Sequence, residues 1–353
     1  LSFPPEFFDE KPQDTENLSR KAARKSRSRG TWLVIPALVA LIFAGLWVWF
    51  NVDSIRDNVK VWGYQPTAQV EEIAQSTAMT EHGKFMFYVG APKILESGDF
   101  NEFCNTHHGD FYTLGCYTSS SSIFIYQITD QRLKGVVEVT AAHEMLHAAW
   151  SRLSVEEKSR LTDLLQAAYG KIDDPKLAET MSLYEQISPT ELPNELHSIL
   201  GTQYLGLGTE LEEYYSQYFT DRSKVVNLYS NYQGYIDSVR DQLTELQDKL
   251  TELSDYLDNE RAEIDAAIVQ WNSDVDAYNA KINTPGGFSS QKEANTARKA
   301  LETRKTKLEE RQVSYKAKVA EYDDLITEWD KVAAESDEIF QLLDSNYEPS
   351  RDK

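Results

Sequence analysis

Ala141-Ala142-His143-Glu144-Met145-Leu146-His147-Ala148-Ala149-Trp150 is the stretch that the rest of the chain serves. It reads as helix, and on an α-helix residues i and i+4 lie one above the other on the same face. His143 and His147 have that spacing, so their imidazoles can hold one metal ion. Glu144 is the next residue round. A carboxylate beside the ion can take a proton from a bound water. Ala142, Met145, Leu146 and Ala148 are uncharged, as a buried metal-bearing helix requires.

The preceding run, Ser122-Ile123-Phe124-Ile125-Tyr126-Gln127-Ile128, reads as a strand. A strand followed by a His-Glu-x-x-His helix resembles the active-site unit of the zincin metallopeptidases. The resemblance covers about residues 67–220. It implies a catalytic Zn2+ held by His143 and His147, with Glu144 as the general base. It also implies that the 122–128 strand runs along the cleft edge and pairs with an extended substrate. A catalytic zinc takes three protein ligands. The metzincin extension would need Gly at 150 and His at 153; Trp150 and Leu153 exclude it. The glutamate-type zincins place the third ligand on a later helix, and Asn194-Glu195-Leu196-His197-Ser198 resembles that motif. Glu195 is therefore the expected third ligand, with His197, Glu191, Glu212 and Glu213 as alternatives. Zincins also carry a Tyr or His that hydrogen-bonds the oxyanion. Tyr204, Tyr214, Tyr215 and His197 are within reach in sequence, and Tyr215 is the named catalytic candidate.

Composition bounds the function. The 353 residues suffice for two domains, and a net charge of −21 argues against nucleic acid as the partner, because phosphate binding needs a basic face. The two cysteines, Cys104 and Cys116, lie on the same side of the apolar segment described next. Outside the cytoplasm they form a disulfide; two unpaired buried thiols are the alternative.

Residues 1–30 read as an unstructured tail ending in a basic run from Arg20 to Arg29. Thr31 to Phe50 contains no charged residue, and twenty residues make about 30 Å of helix, the thickness of a hydrocarbon core. Trp32, Trp47 and Trp49 stand near its ends. The basic run before it places residues 1–30 in the cytoplasm and the remainder outside. A cleaved signal peptide would end at small residues, which Leu46-Trp47-Val48-Trp49-Phe50 lacks. The expected localisation is the cell membrane, single-pass, with the bilayer as partner through residues 31–50.

Residues 51–66 read as a stalk, 67–79 as a helix, and Lys84-Phe85-Met86-Phe87-Tyr88-Val89 as a strand by length and aromatic content. A loop follows, with His107 and His108 in a polar turn between the cysteines. Gly135 opens the metal helix. Ser154-Val155-Glu156-Glu157 is a capping box that starts a second helix. Asp174-Pro175 starts a third, and Pro193 begins a fourth.

From Ile236 apolar residues recur at steps of three and four through Leu243, Leu250 and Leu257 to Ile282, with Glu260 and Asp274 as polar exceptions. Asn283-Thr284-Pro285-Gly286-Gly287-Phe288 breaks the pattern. A second register runs from Ala294 to Leu343, interrupted by Arg304 and Arg311. Two heptad runs around a Pro-Gly-Gly turn read as an antiparallel coiled coil, on the order of 80 Å long. It is expected to serve as a spacer or rigid brace, or as a docking arm for substrate, a protein partner or a second copy.

The expected fold class is α+β. A tail (1–30) and a transmembrane helix (31–50) lead through the stalk to a zincin-like domain with a short sheet and several helices (67–220). A coiled-coil hairpin (221–345) and a disordered tail (346–353) follow. The expected function is an extracytoplasmic zinc metallopeptidase acting on proteins near the membrane. A coiled-coil scaffold with a structural zinc, or a hydrolase of cell-wall peptide amides, are the alternatives.

Overall fold

A computed structural model describes residues 31–104 and 113–347. The proposed tail at 1–30, the histidines at 107 and 108, and residues 348–353 lie outside the described residues. The chain divides into two units, Leu1–Arg56 and Asp57–Lys353. The first contains helix α1, Thr31–Phe50; α2, Val52–Gly63, begins in it and continues into the second. Where a stalk is expected there is thus a helix. Side chains of α1 are described from Val39 on. Among the described residues no single helix is long and apolar enough to cross a membrane. Val39–Phe50 and Val52–Gly63 pass that test only as a bent pair, by length and composition.

The second unit continues with α3 (Ala68–Ser76), α4 (Glu81–Val89), β1 (Lys93–Leu95), α5 (Ser97–Phe103), β2 (Gly115–Tyr117) and β3 (Ile123–Tyr126). The sheet order is β1-β3-β2, with β3 parallel to β1 and antiparallel to β2. Helices α6 (Val136–Ser151), α7 (Val155–Tyr169), α8 (Pro175–Ile187), α9 (Leu192–Gln203) and α10 (Thr209–Tyr215) follow. Two long helices, α11 (Ser223–Ile282) and α12 (Gln291–Leu343), complete it. The class is α+β, dominated by helix.

Two expectations are corrected. The run 84–89 is helical: Thr80 caps α4 by accepting from the Gly83 amide at 2.9 Å. The Thr80 hydroxyl donates to the Gln217 carbonyl and its amide to the Tyr218 carbonyl, at 2.5 and 2.8 Å. This long-range anchoring fixes a helix start that a short apolar run does not reveal. The strand near 122–128 exists, but it is the centre of the sheet, with both backbone edges paired. The edge strand beside the metal helix is β2.

Helix α6 is apolar almost all round, with Val136, Val139, Ala141, Ala142, Met145, Leu146 and Ala148 buried, as a central helix must be. It packs against α3, α4, α9, α11 and the sheet. Its N-cap, Gly135, has φ +108°, and a Cβ there would lie 3.0 Å from the Leu228 carbonyl oxygen of α11. Only glycine takes that conformation at that distance without strain. The expected caps are present: Ser154 and Glu157 form the reciprocal box, and Asp174 accepts from the amides of Lys176 and Leu177.

Cys104 and Cys116 are joined by a disulfide that ties the end of α5 to β2. Phe100, Phe124 and Cys104 form a small core around it. The long helices pack side by side and antiparallel. Trp271 Nε1 donates to the Leu301 carbonyl, Asp274 pairs with Arg304, and Glu260 pairs with Arg311. The polar exceptions of the two heptad registers are therefore each other's partners. Half-exposed ion pairs such as these add little stability, but they fix which residue faces which. At the base, Leu133 and Val136 share a core with Val239, Leu246, Val332, Ile339 and Leu343. Beyond it, Asn101 and Ser345 exchange two hydrogen bonds of 2.6 and 2.9 Å, returning the end of α12 to α5.

Candidate metal centre

Helix α6 presents His143 and His147 on one face, with their Nε2 atoms 3.0 Å apart. Helix α9 brings Glu195 to the same point from its first turn. Glu195 Oε2 lies 3.5 Å from His143 Nε2, and Oε1 lies 3.5 Å from His147 Nε2. Ligand atoms about 2.1 Å from a tetrahedral zinc stand about 3.4 Å from one another. The two carboxylate–imidazole separations match that spacing, and the two imidazole nitrogens stand closer, at 3.0 Å.

The surrounding bonds fix which atoms face inward. His147 Nδ1 lies 2.9 Å from Asn194 Oδ1 and 3.3 Å from Ser198 Oγ. Asn194 Nδ2 donates to Glu191 Oε2 at 3.2 Å, which sets the amide so that Oδ1 faces the imidazole. His147 therefore donates from Nδ1 and keeps the Nε2 lone pair directed at Glu195 and His143. In the motif Asn194-Glu195-Leu196-His197-Ser198, the first residue and the last contact His147 and the second faces both imidazoles.

Glu144 is buried, and its carboxylate lies within 4.8 Å of both histidine ligand atoms. Burial pushes its pKa up to about 7, with the Glu195 charge adding, and with His147 and the Tyr117 backbone amide opposing. Beside it runs β2. A Cβ at Gly115 would lie 2.8 Å from Glu144 Oε1 and 2.5 Å from Thr140 Cγ2, so glycine alone lets the strand pass this close. Burial would raise Glu195 too, but His147, His143 and a hydrogen bond from Tyr184 hold its pKa at about 2. It stays a carboxylate.

Among the described residues, three buried side-chain polar atoms lack a hydrogen-bond partner: Glu144 Oε2, Glu195 Oε2 and His197 Nδ1. An unpaired buried carboxylate oxygen is costly. Two of the three belong to this cluster, and a cation between the histidines and Glu195 would offset that cost. His143, Glu144 and His147 could hold a metal ion, and the residues present fit one. Glu144 joins the set by proximity, while Glu195 joins by facing both imidazoles.

The other predicted residues go elsewhere. Tyr215 is fully buried and its hydroxyl donates to the His197 carbonyl at 2.7 Å, so it is not brought to the cluster. His197 turns the opposite way, stacking on Tyr215 and bonding the Tyr214 hydroxyl at 3.0 Å. Glu212 pairs with Arg222, Glu213 is exposed, and Glu191 serves Asn194. Tyr184, on α8, lies near the cluster instead: burial, with the Glu195 and Glu144 charges adding, raises its pKa. Its place in the apolar seam with Leu177 and Met181 gives it the sequence signature of a core residue.

Comparison of the chain with protein-family models, with curated proteins and with solved structures finds no match.

Proposed function

We propose that this chain is a zincin-type zinc metallopeptidase, anchored in the cell membrane by residues 31–50 and hydrolysing peptide bonds of proteins near the membrane surface. The observation that carries the reading is the meeting of Glu195 with both His143 and His147, 3.5 Å from each ring nitrogen, from α9, with α7 and α8 lying between in sequence. Three protein ligands and a separate carboxylate base are the parts of a hydrolytic site, whereas a structural zinc is closed by four ligands.

His143, His147 and Glu195 hold the ion. When bound, zinc polarises a carbonyl oxygen and makes a coordinated water more acidic. Glu144 takes the proton of the attacking water on its carboxylate and passes it to the leaving amine, a role suited to a pKa near neutrality. Asn194 and Ser198 keep His147 in the ligating tautomer. Tyr184 replaces Tyr215 as the phenol at this site. The edge strand Gly115–Tyr117 replaces 122–128 as the backbone that an extended peptide can join.

The disulfide supports an extracytoplasmic domain, because such bonds persist in oxidising compartments. The basic run before residue 31 supports a cytoplasmic N-terminus. In this reading the hairpin of α11 and α12 is a coiled-coil arm for a protein partner.

The test is zinc content and peptide hydrolysis of the purified chain. Wild type should hold one zinc and cleave peptides, Glu195→Ala should lose the metal, and Glu144→Gln should keep the metal and lose cleavage. A wild type that takes up no zinc on reconstitution would sink the enzyme reading.

A further inference from the structure

Helix α2 has two faces, and the fold occupies one. Asp57, Lys60, Val61 and Tyr64 fall at i, i+3, i+4 and i+7 and are partly buried. The Asp57 carboxylate accepts from Arg152 Nε and a second guanidinium nitrogen at 2.6 and 3.0 Å. Arg152 directly follows α6 and also donates to the Ala148 carbonyl at 2.7 Å. Lys60 Nζ donates to the Ser120 carbonyl at 3.5 Å, and the Tyr64 hydroxyl to the Pro92 carbonyl at 2.9 Å.

The opposite face carries Val52, Ile55, Val59 and Trp62, at i, i+3, i+7 and i+10. They are 44, 36, 61 and 90 % exposed, and Trp62 is the most exposed large apolar side chain among the described residues. Four apolar residues in one helical stripe, opposite an ionic face, make an amphipathic surface helix. Its occupant is indicated by continuity. Asn51 alone separates the stripe from the uncharged run Thr31–Phe50, and its amide donates to the Trp47 carbonyl at 3.0 Å while its carbonyl accepts from Ile55 at 2.8 Å. The stripe thus starts where the apolar helix ends and finishes on a tryptophan, the residue enriched at membrane–water boundaries.

We propose that α2 lies in the headgroup layer of a lipid bilayer, with Val52, Ile55, Val59 and Trp62 toward the acyl chains. The domain is thereby held against the membrane through Asp57, Lys60 and Tyr64. The inference rests on the reading of residues 31–50 as an anchor. Through Arg152 the end of α6 is tied to α2.

The test uses the full chain in vesicles of phosphatidylcholine and phosphatidylglycerol, with a nitroxide on a single introduced cysteine: Val59→Cys, Trp62→Cys or Val61→Cys. Both native cysteines are in the disulfide, so no other thiol competes. Positions 59 and 62 are exposed, so the fold tolerates the labels. Collisions are compared between oxygen, which concentrates in lipid, and a water-soluble nickel chelate. At 59 and 62 the oxygen-to-nickel ratio should rise above that in detergent-free water, while at 61 both collision rates stay low. Nickel reaching 59 and 62 freely would overturn the proposal in favour of a free-standing stalk. Neither relaxant reaching them would overturn it in favour of a protein cover, such as a second copy. Flotation of the same sample separates the two readings: a chain that does not float with the vesicles removes the anchor, and a floating chain with water-exposed labels removes only the lipid-facing helix.

Discussion

His147 Nδ1 and Asn194 Oδ1 lie 2.9 Å apart, the one on α6 and the other in the first turn of α9. The bond decides the tautomer of an imidazole whose Nε2 faces Glu195 and His143. It also joins the two helices at the point where Glu195 must meet the histidines.

Asn194→Leu should therefore weaken zinc binding without removing a ligand. Loss of such an orienting partner costs about 10- to 100-fold in metal affinity. Competition against a chelator of known affinity measures it, and an unchanged affinity would show that the imidazole needs no orienting partner.

Gly115→Ala should push on the base and leave the ligands alone. The added Cβ would meet Glu144 Oε1 at 2.8 Å and Thr140 Cγ2 at 2.5 Å. Zinc content should stay at wild-type level while kcat falls, and overpacking should cost about 1–3 kcal/mol of stability. Equal kcat for the variant and wild type would mean that the strand does not confine Glu144.

The disulfide closes a loop of sequence separation 12. Chain entropy for so short a loop gives about 3 kcal/mol of stabilisation. The double variant Cys104→Ser, Cys116→Ser should lower the denaturation midpoint accordingly, and a reductant should reproduce the loss in wild type. A midpoint indifferent to both would show that the Phe100–Phe124 core holds this region unaided.

His197 adds a pH dependence. It is buried, and burial, with His147 and His143 adding, holds its pKa well below the usual 6.5. Below pH 6.5 the unfolded chain binds a proton there that the folded chain does not. Its contribution to stability is therefore intact above 6.5 and declines as pH falls from 6.5 toward the folded-state pKa, by up to about 1.4 kcal/mol per pH unit. Urea unfolding at pH 7.5 and pH 5.5 should show a smaller acid loss for His197→Phe than for wild type. An equal loss would assign the dependence to other groups.

Local chemistry is what the sequence displays well. The 143–147 motif, the Ser154 box and the Asp174 cap each depend on neighbours within a few residues, whereas Glu195 meets the histidines only because α9 packs on α6. The misread elements depend on distant ones. Residues 84–89 are helical because Thr80 is bonded to residues 217 and 218, and β3 is central because β1 and β2 pair on both sides of it. Tyr184 is hidden for the same reason, since only the packing of α8 against α9 brings it to Glu195. In the hairpin, Glu260, Asp274, Arg304 and Arg311 read singly as flaws in a seam, and only the fold shows them as two pairs.

The return of Ser345 to Asn101 gives the long hairpin a second foot. Mechanically it is a doubled strut with both feet held at its base, roughly 90 Å from the start of α11 to the tip. A sideways load at the tip reaches the base as tension in one helix and compression in the other. The two meet at Leu133 and Val136, and Val136 is the first residue of the helix that carries His143. A load applied at the tip would thus be felt at the root of α6.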